Sequence, residues 1–92
     1  MDLTIRPAIS SDSNAIIGLI KELALFEKEP ESVILTEDDV KEYGFGKKPL
    51  FECLIAELEN QVIGMALFYS RFSTWKGPTI HLEDLIITED YK

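Results

Sequence analysis

Two adjacent carboxylates, Glu83 and Asp84, lie within the apolar, β-branched run IHLEDLII at residues 80–87. Strands disfavour acidic residues, and an unpaired charge that leaves water is costly. A carboxylate in a partly apolar cleft has a raised pKa, so it can accept a proton from a bound group or hold a cation. The alternative is that lysine, arginine or backbone donors satisfy both acids as part of the fold.

The predicted strand decides how the two acids are oriented. Alternate side chains of an extended strand point to opposite faces of the sheet. Strict alternation would therefore point the acids apart, so that they could not share a proton. It groups Glu83 with His81, Leu85 and Ile87, and Asp84 with Leu82 and Ile86.

Composition narrows the class of protein. The 92 residues, 46% hydrophobic and 28% charged, predict one small globular domain over residues 1–92. The net charge of −8 disfavours nucleic acid and attracts a cationic small molecule, although acidity alone also keeps a protein soluble. The absence of a signal peptide or an apolar membrane span predicts a cytoplasmic protein with no membrane partner. One cysteine and one histidine predict no disulfide and no metal site.

Periodicity and turn residues predict the order β-α-α-β-β-β. A short strand at residues 3–7 precedes a helix at residues 12–27, within which Gly18 indicates close packing or simple tolerance. Thr36 caps a second helix that runs to about Tyr43. Strands at residues 51–57 and 62–70 form a hairpin, the second central and covered on both faces. A loop at residues 71–78 leads to a strand at residues 79–88, which is too apolar for an open edge and predicts further chain or a second chain beside it.

With these elements in place, the sequence resembles the N-terminal half of a GNAT-superfamily N-acetyltransferase, closest to the diamine (spermidine/spermine) and thialysine group. The resemblance covers residues 5–92. Six strings carry it: IRPA at 5–8, LIKELALFEKEPE at 19–31, VILTEDDV at 33–40, GFGKKPLF at 44–51, STWKG at 73–77 and LEDLII at 82–87.

The resemblance implies an α+β fold, a mixed but mostly antiparallel sheet flanked by helices on both faces and truncated after the fourth strand. It implies acetyl-CoA as co-substrate, with a glycine-rich pyrophosphate loop that starts near Tyr91. Backbone groups of Leu85, Ile86 and Ile87 would line the acetyl group and pantetheine arm. A homodimer is also implied.

The same resemblance assigns roles to side chains. Glu83 would be the catalytic base, while Asp84, Glu27 and Trp75 would bind the cationic substrate. The alternatives are an ordinary helix-end charge for Glu27 and a loop anchor that packs on the core for Trp75. Ser73 replaces the acid of polyamine-type enzymes, which favours thialysine, lysine-like or other small amines.

The predicted function is therefore acetyl transfer from acetyl-CoA to the primary amine of a diamine, polyamine, thialysine or lysine-like substrate, by direct attack in a ternary complex. Two alternatives are a catalytically incomplete acetyltransferase fragment that binds a partner or forms a dimer, and an acidic interaction domain. His81 is expected to be an ordinary strand residue and Cys53 an inert thiol.

Overall fold

A computed structural model describes residues 3–88. Its helices and strands follow the predicted order, with short 3₁₀ turns before each helix. The elements are β1 (Leu3–Pro7), α1 (Ser13–Phe26), α2 (Glu37–Phe45), β2 (Glu52–Leu58), β3 (Gln61–Ser73) and β4 (Gly77–Ile87). The expected start of the pyrophosphate loop near Tyr91 lies outside the described residues.

The four strands form one sheet in the order β1-β2-β3-β4. Each neighbouring pair among residues 3–88 is antiparallel, so the mixed character expected of the sheet is not seen in this part of the chain. A two-residue turn joins β2 to β3, where Glu59 and Asn60 have φ of 51° and 68°. Two successive left-handed residues match the twist of a tight hairpin, so the register of this pair is fixed locally.

Local capping sets the ends of the helices. Thr36 Oγ1 accepts from the Asp39 amide at 3.1 Å, and the Thr36 amide donates to the Asp39 carboxylate at 3.0 Å, which starts α2. At the end of α1, the Lys28 amide donates to Leu25 O and the Glu29 amide donates to Ala24 O. Lys28 has φ 63°, the left-handed conformation that closes such an end.

Both helices pack on the same face of the sheet, and the hydrophobic core lies between the helices and that face. Burial of these apolar side chains is the main favourable term in folding. The core consists of Ile16, Ile17, Leu19, Val40, Cys53, Ile55, Met65, Leu67 and Ile86.

An ion-pair cluster joins β1 to the start of α1. Arg6 donates to both carboxylate oxygens of Asp12, at 2.8 and 3.0 Å, and to those of Glu57, both at 3.2 Å. The hydrogen bonds from Arg6 hold the pKa of the Asp12 carboxyl below its usual range, against the opposing effect of burial. Arg6 thus compensates a carboxylate in a residue that is only 8% exposed.

Two expectations about the strands are wrong within the described residues. β3 is central, but helices cover only one of its faces, and the other face exposes large apolar side chains. These are Ile5, Leu54, Phe72, Ile80, Leu82, Leu85 and Ile87. The predicted loop at residues 71–78 is mostly strand, because the ladder continues through Phe72 opposite Pro78 to Ser73 opposite Gly77.

Candidate functional site

The pairing of β3 with β4 shifts register at the two carboxylates. Leu67 lies opposite Asp84, and the next residue, Phe68, lies opposite Leu82. Glu83 therefore has no partner on β3 and is the extra residue of a β-bulge. Such bulges redirect side chains and are frequent beside active sites.

The bulge brings the two acids to the same side of the sheet. Asp84 follows Leu67 and Ile86 toward the helices, and both Glu83 and Asp84 line one cavity there. The expectation that they point apart is wrong, because strict alternation fails at an inserted residue. Leu82 lies instead on the face of Phe68, opposite to Asp84.

This cavity, called here the acidic cavity, has a volume of about 330 Å³. The two carboxylates are part of its lining, and the remaining wall is largely apolar. Its other lining residues are Ile20, Ser32, Val33, Ile34, Leu35, Phe51 and Leu67. The residues of this wall were not predicted as site residues, although the apolar run at residues 33–35 in the connection between the helices is a visible signal.

Electrostatics distinguish the two acids. Burial raises the pKa of the Asp84 carboxyl, and the negative charges of Glu83 and Glu27 raise it further. Glu27, at the end of α1, thus lies close enough for its charge to act at the cavity, although it is not among the lining residues. Within residues 3–88, neither cavity acid forms an ion pair with lysine or arginine, and Glu83 pairs only with His81. Satisfaction of these acids by lysine or arginine is therefore not seen in this part of the chain.

Trp75 is far from the acidic cavity. It lies in the turn between β3 and β4 and is 94% exposed, so the alternative that it packs on the core is wrong. About 20 Å of strand separates Gly77, next to this turn, from Glu83. The structure does not bring Trp75 together with the carboxylates.

The predicted cofactor-binding residues follow the bulge at the edge of the sheet. The Thr88 amide donates to Ile63 O at 2.7 Å, so alternation directs the backbone groups of Ile86 toward β3 and those of Leu85 and Ile87 outward. Among the described strands, none pairs with this outer edge. The side chain of Ile86 is buried in the core, which holds the edge in place.

Other possible sites are less suitable. A larger cavity of about 620 Å³ beside the end of α2 is lined in part by Lys47 and Lys48, which disfavour a cationic ligand. Cys53 is buried, and burial raises the pKa of its thiol to about 12, which disfavours the reactive thiolate. Residues 3–88 contain no cluster of three potential metal-binding side chains. No helix in the same range has the length and apolarity that a membrane crossing requires.

The sequence of this chain is similar to those of known acetyltransferases. No family model matches the sequence. Thialysine N-epsilon-acetyltransferase of Bos taurus is 40% identical over 96 residues, which cover 96% of this chain and 56% of that protein. Spermidine/spermine N(1)-acetyltransferase-like protein 1 of Homo sapiens is 39% identical over 95 residues, covering 96% of this chain and 14% of that protein. The chain thus spans about half the length of the thialysine acetyltransferase.

Solved structures show the same fold. A possible acetyltransferase from Clostridium difficile 630 superposes with a TM-score of 0.73 at 18% identity, covering 98% of this chain and 60% of that one. A GNAT family acetyltransferase from Staphylococcus aureus gives a TM-score of 0.65 at 17% identity, covering 100% and 67%. The resemblance is therefore confirmed in sequence with thialysine and spermidine/spermine-type acetyltransferases, and in fold with a GNAT family acetyltransferase.

Proposed function

Because this chain shares sequence and fold with the GNAT acetyltransferases, we propose that the whole protein transfers an acetyl group from acetyl-CoA to a primary amine of a small cationic substrate. The observation that carries this proposal is the bulge that turns Glu83 and Asp84 into one apolar-walled cavity. Thialysine, lysine-like amines, diamines and polyamines all offer the required ammonium group.

The chemistry requires that the ammonium group lose a proton. An alkyl ammonium has a pKa near 10.4, and only the neutral amine has the lone pair that attacks a thioester. Glu83 accepts this proton, directly or through a water, while Asp84 holds the cation in the cavity. The neutral nitrogen then attacks the thioester carbon directly, the C–S bond breaks, and CoA leaves as the thiol after protonation.

The rest of the cavity suits the remainder of such a substrate. Val33, Leu35 and Phe51 offer an apolar wall for a methylene chain. Glu27, whose charge is felt at Asp84, serves a second, distal amine where the substrate has one. Trp75 has no part in this chemistry, because it lies in the turn between β3 and β4, far from the carboxylates.

Acetyl-CoA binds as co-substrate along the outer edge of β4 in this proposal. The outward amides of Leu85 and Ile87 support it, because a free N–H beside the carboxylates can polarise the thioester carbonyl and stabilise the developing oxyanion. Ile86 fits a different role from the one expected, because its backbone groups face β3 and its side chain is only 6% exposed. Ile86 positions the edge rather than contacting the pantetheine arm.

The test is an acetylation assay of the full-length protein with acetyl-CoA and a panel of thialysine, diamines and polyamines. Glu83→Gln should lower the rate by about 10²–10⁴ if Glu83 is the base. Glu59→Gln, the same change in the exposed β2–β3 turn, is the matched control and should leave the rate near that of the wild type. Equal rates for the two variants would remove Glu83 from the mechanism, and no turnover of any amine would refute the proposed reaction.

A second candidate, a non-catalytic module that binds a partner or dimerises, is favoured by the exposed apolar face of the sheet. Calorimetric titration with acetyl-CoA separates the two, because the module predicts no heat of binding. The homodimer and the cytoplasmic location stay predictions from the sequence and the resemblance.

A further inference from the structure

His81 is the one side chain that forms an ion pair with the acidic cavity among the described residues. Its Nε2 lies 3.5 Å from Glu83 Oε1, and the imidazole ring tilts against the Tyr69 ring with centroids 5.1 Å apart. Both members of the pair are partly open to solvent, with side-chain exposures of 39% and 52%. Alternation along β4 explains the pairing, since Glu83 lies two residues after His81 on the side of the sheet that Tyr69 shares, and the bulge adds Asp84 to that side.

The charges around this pair are few. Arg71 follows Tyr69 on the same face of β3, Asp84 follows Glu83 on β4, and Glu27 acts from the end of α1. Arginine as a residue type stays charged at every physiological pH.

The connection between the helices contributes Ser32 and apolar side chains to the cavity, and the Ser32 hydroxyl donates to Glu29 at 3.1 Å. Of the residue types named here, histidine is the one whose side chain can be either neutral or positively charged under ordinary conditions.

We propose that His81 competes with the substrate for Glu83. Its protonated ring pairs with the Glu83 carboxylate, which the ammonium group of the amine also needs. When the ring is neutral, Glu83 offers its full negative charge to the ammonium group. When the ring is protonated, the amine must displace the imidazolium before it binds. The inference rests on the proposed function only for the identity of the competing cation; the pairing of His81 with Glu83 stands on the geometry.

The first experiment tests the pairing without any amine. In the full-length protein, the ring resonances of His81 are assigned by NMR as those that His81→Gln removes. With ¹³C-labelled glutamate, the side-chain carboxyl resonance of Glu83 should move in step with the titration of the ring in the wild-type protein. His81→Gln should abolish that step. A Glu83 resonance that ignores the ring titration in the wild type overturns the inference, whether or not the protein proves to be an acetyltransferase.

The second experiment measures competition in the full-length protein. Calorimetric titration with thialysine at pH 7.5 and pH 5.5 compares the wild type with His81→Gln and with His81→Phe, which keeps a ring against Tyr69. Burial raises the pKa of the Asp84 carboxyl, and any loss of its charge at the lower pH weakens binding in all three proteins alike. The wild type should lose roughly two- to five-fold more affinity than either variant, the range expected for a partly exposed ion pair.

Three outcomes are distinguishable. Equal pH sensitivity in all three proteins refutes the competition while the proposed function stands. An extra loss in the wild type that is absent from both variants supports it. If no protein binds any amine of the panel, the proposed function fails, and the NMR step alone decides whether His81 is the partner of Glu83.

Discussion

Gly64 on β3 lies where the structure leaves no room for a side chain. A Cβ at this position would stand 2.7 Å from the backbone O of Ile86 and 2.5 Å from Cδ1 of Ile87. The Ile87 side chain is partly exposed and can rotate away, but the carbonyl of Ile86 is fixed, because its residue is buried in the core. The contact is roughly 0.6 Å shorter than an ordinary C···O separation, so Gly64→Ala must push β4 away from β3.

The magnitude follows from this forced displacement. Overpacking of this kind costs about 1–3 kcal/mol in the free energy of unfolding. For a full-length protein of about 150–250 residues, that corresponds to a fall in Tm of about 2–12 °C. The displaced segment also carries the outward amides of Leu85 and Ile87, so kcat/KM should fall by about tenfold in the folded enzyme, since small misplacements of reacting groups are costly.

The assay is thermal unfolding of the full-length protein, followed by kinetics at a temperature where the variant is folded. Gly18→Ala is the matched control, because a Cβ at Gly18 in α1 meets nothing within 4 Å. That substitution should raise stability by up to about 1 kcal/mol through helix propensity alone. A Gly64→Ala protein with wild-type Tm and wild-type kcat/KM would refute the close approach of the two strands and the role assigned to the edge of β4.

Three further predictions concern charge and backbone conformation. Asp84→Asn should stabilise the protein near neutral pH, because burial raises the pKa of the Asp84 carboxyl. The wild type loses stability as the pH rises from the unfolded pKa of 3.8 through the higher folded pKa. The gain in the free energy of urea unfolding should therefore vanish near pH 3. Arg6→Met should lower the free energy of unfolding by up to about 3 kcal/mol at neutral pH, because it leaves the Asp12 carboxylate uncompensated. The cost should be smaller in acid, once Asp12 is protonated below its lowered folded pKa. A loss of stability that does not depend on pH would contradict this. Lys28→Gly should raise Tm by relieving a left-handed residue, with a gain of up to about 1 kcal/mol, and a lower Tm would show that Lys28 makes a contact worth more than the strain.

Elements with strong local signals were predictable from the sequence. Thr36 and its first-turn acids place the start of α2, the helix ends before Pro30, and the turn at Glu59–Asn60 defines the first hairpin. Each of these depends on a few adjacent residues, so no knowledge of the tertiary structure is needed. Gly18, for which two explanations were open, proves to be tolerated in an open position.

The second hairpin was underestimated for a physical reason. Polar residues and a glycine at 73–77 suggested a loop, but residues in both flanks extend the ladder to Ser73 and Gly77. Gly77 has φ 84°, in the left-handed region, and closes a three-residue turn. A three-residue loop that ends in a left-handed residue is a common hairpin form. Long-range pairing across this turn, which local composition does not encode, decides its structure.

The bulge at Glu83 is the feature that sequence alternation could not supply, and the candidate site depends on it. Without an inserted residue, a strand that buries Ile86 beneath the helices would place Asp84 in the cavity and Glu83 on the opposite face. The bulge costs backbone pairing at one residue, and contacts on both sides hold it: Ile86 in the core beyond it, and His81 against Tyr69 before it. The two carboxylates are thus positioned by packing that neither of them makes. For that reason, substitutions at Ile86 or Tyr69 should act on amine binding without touching the amine.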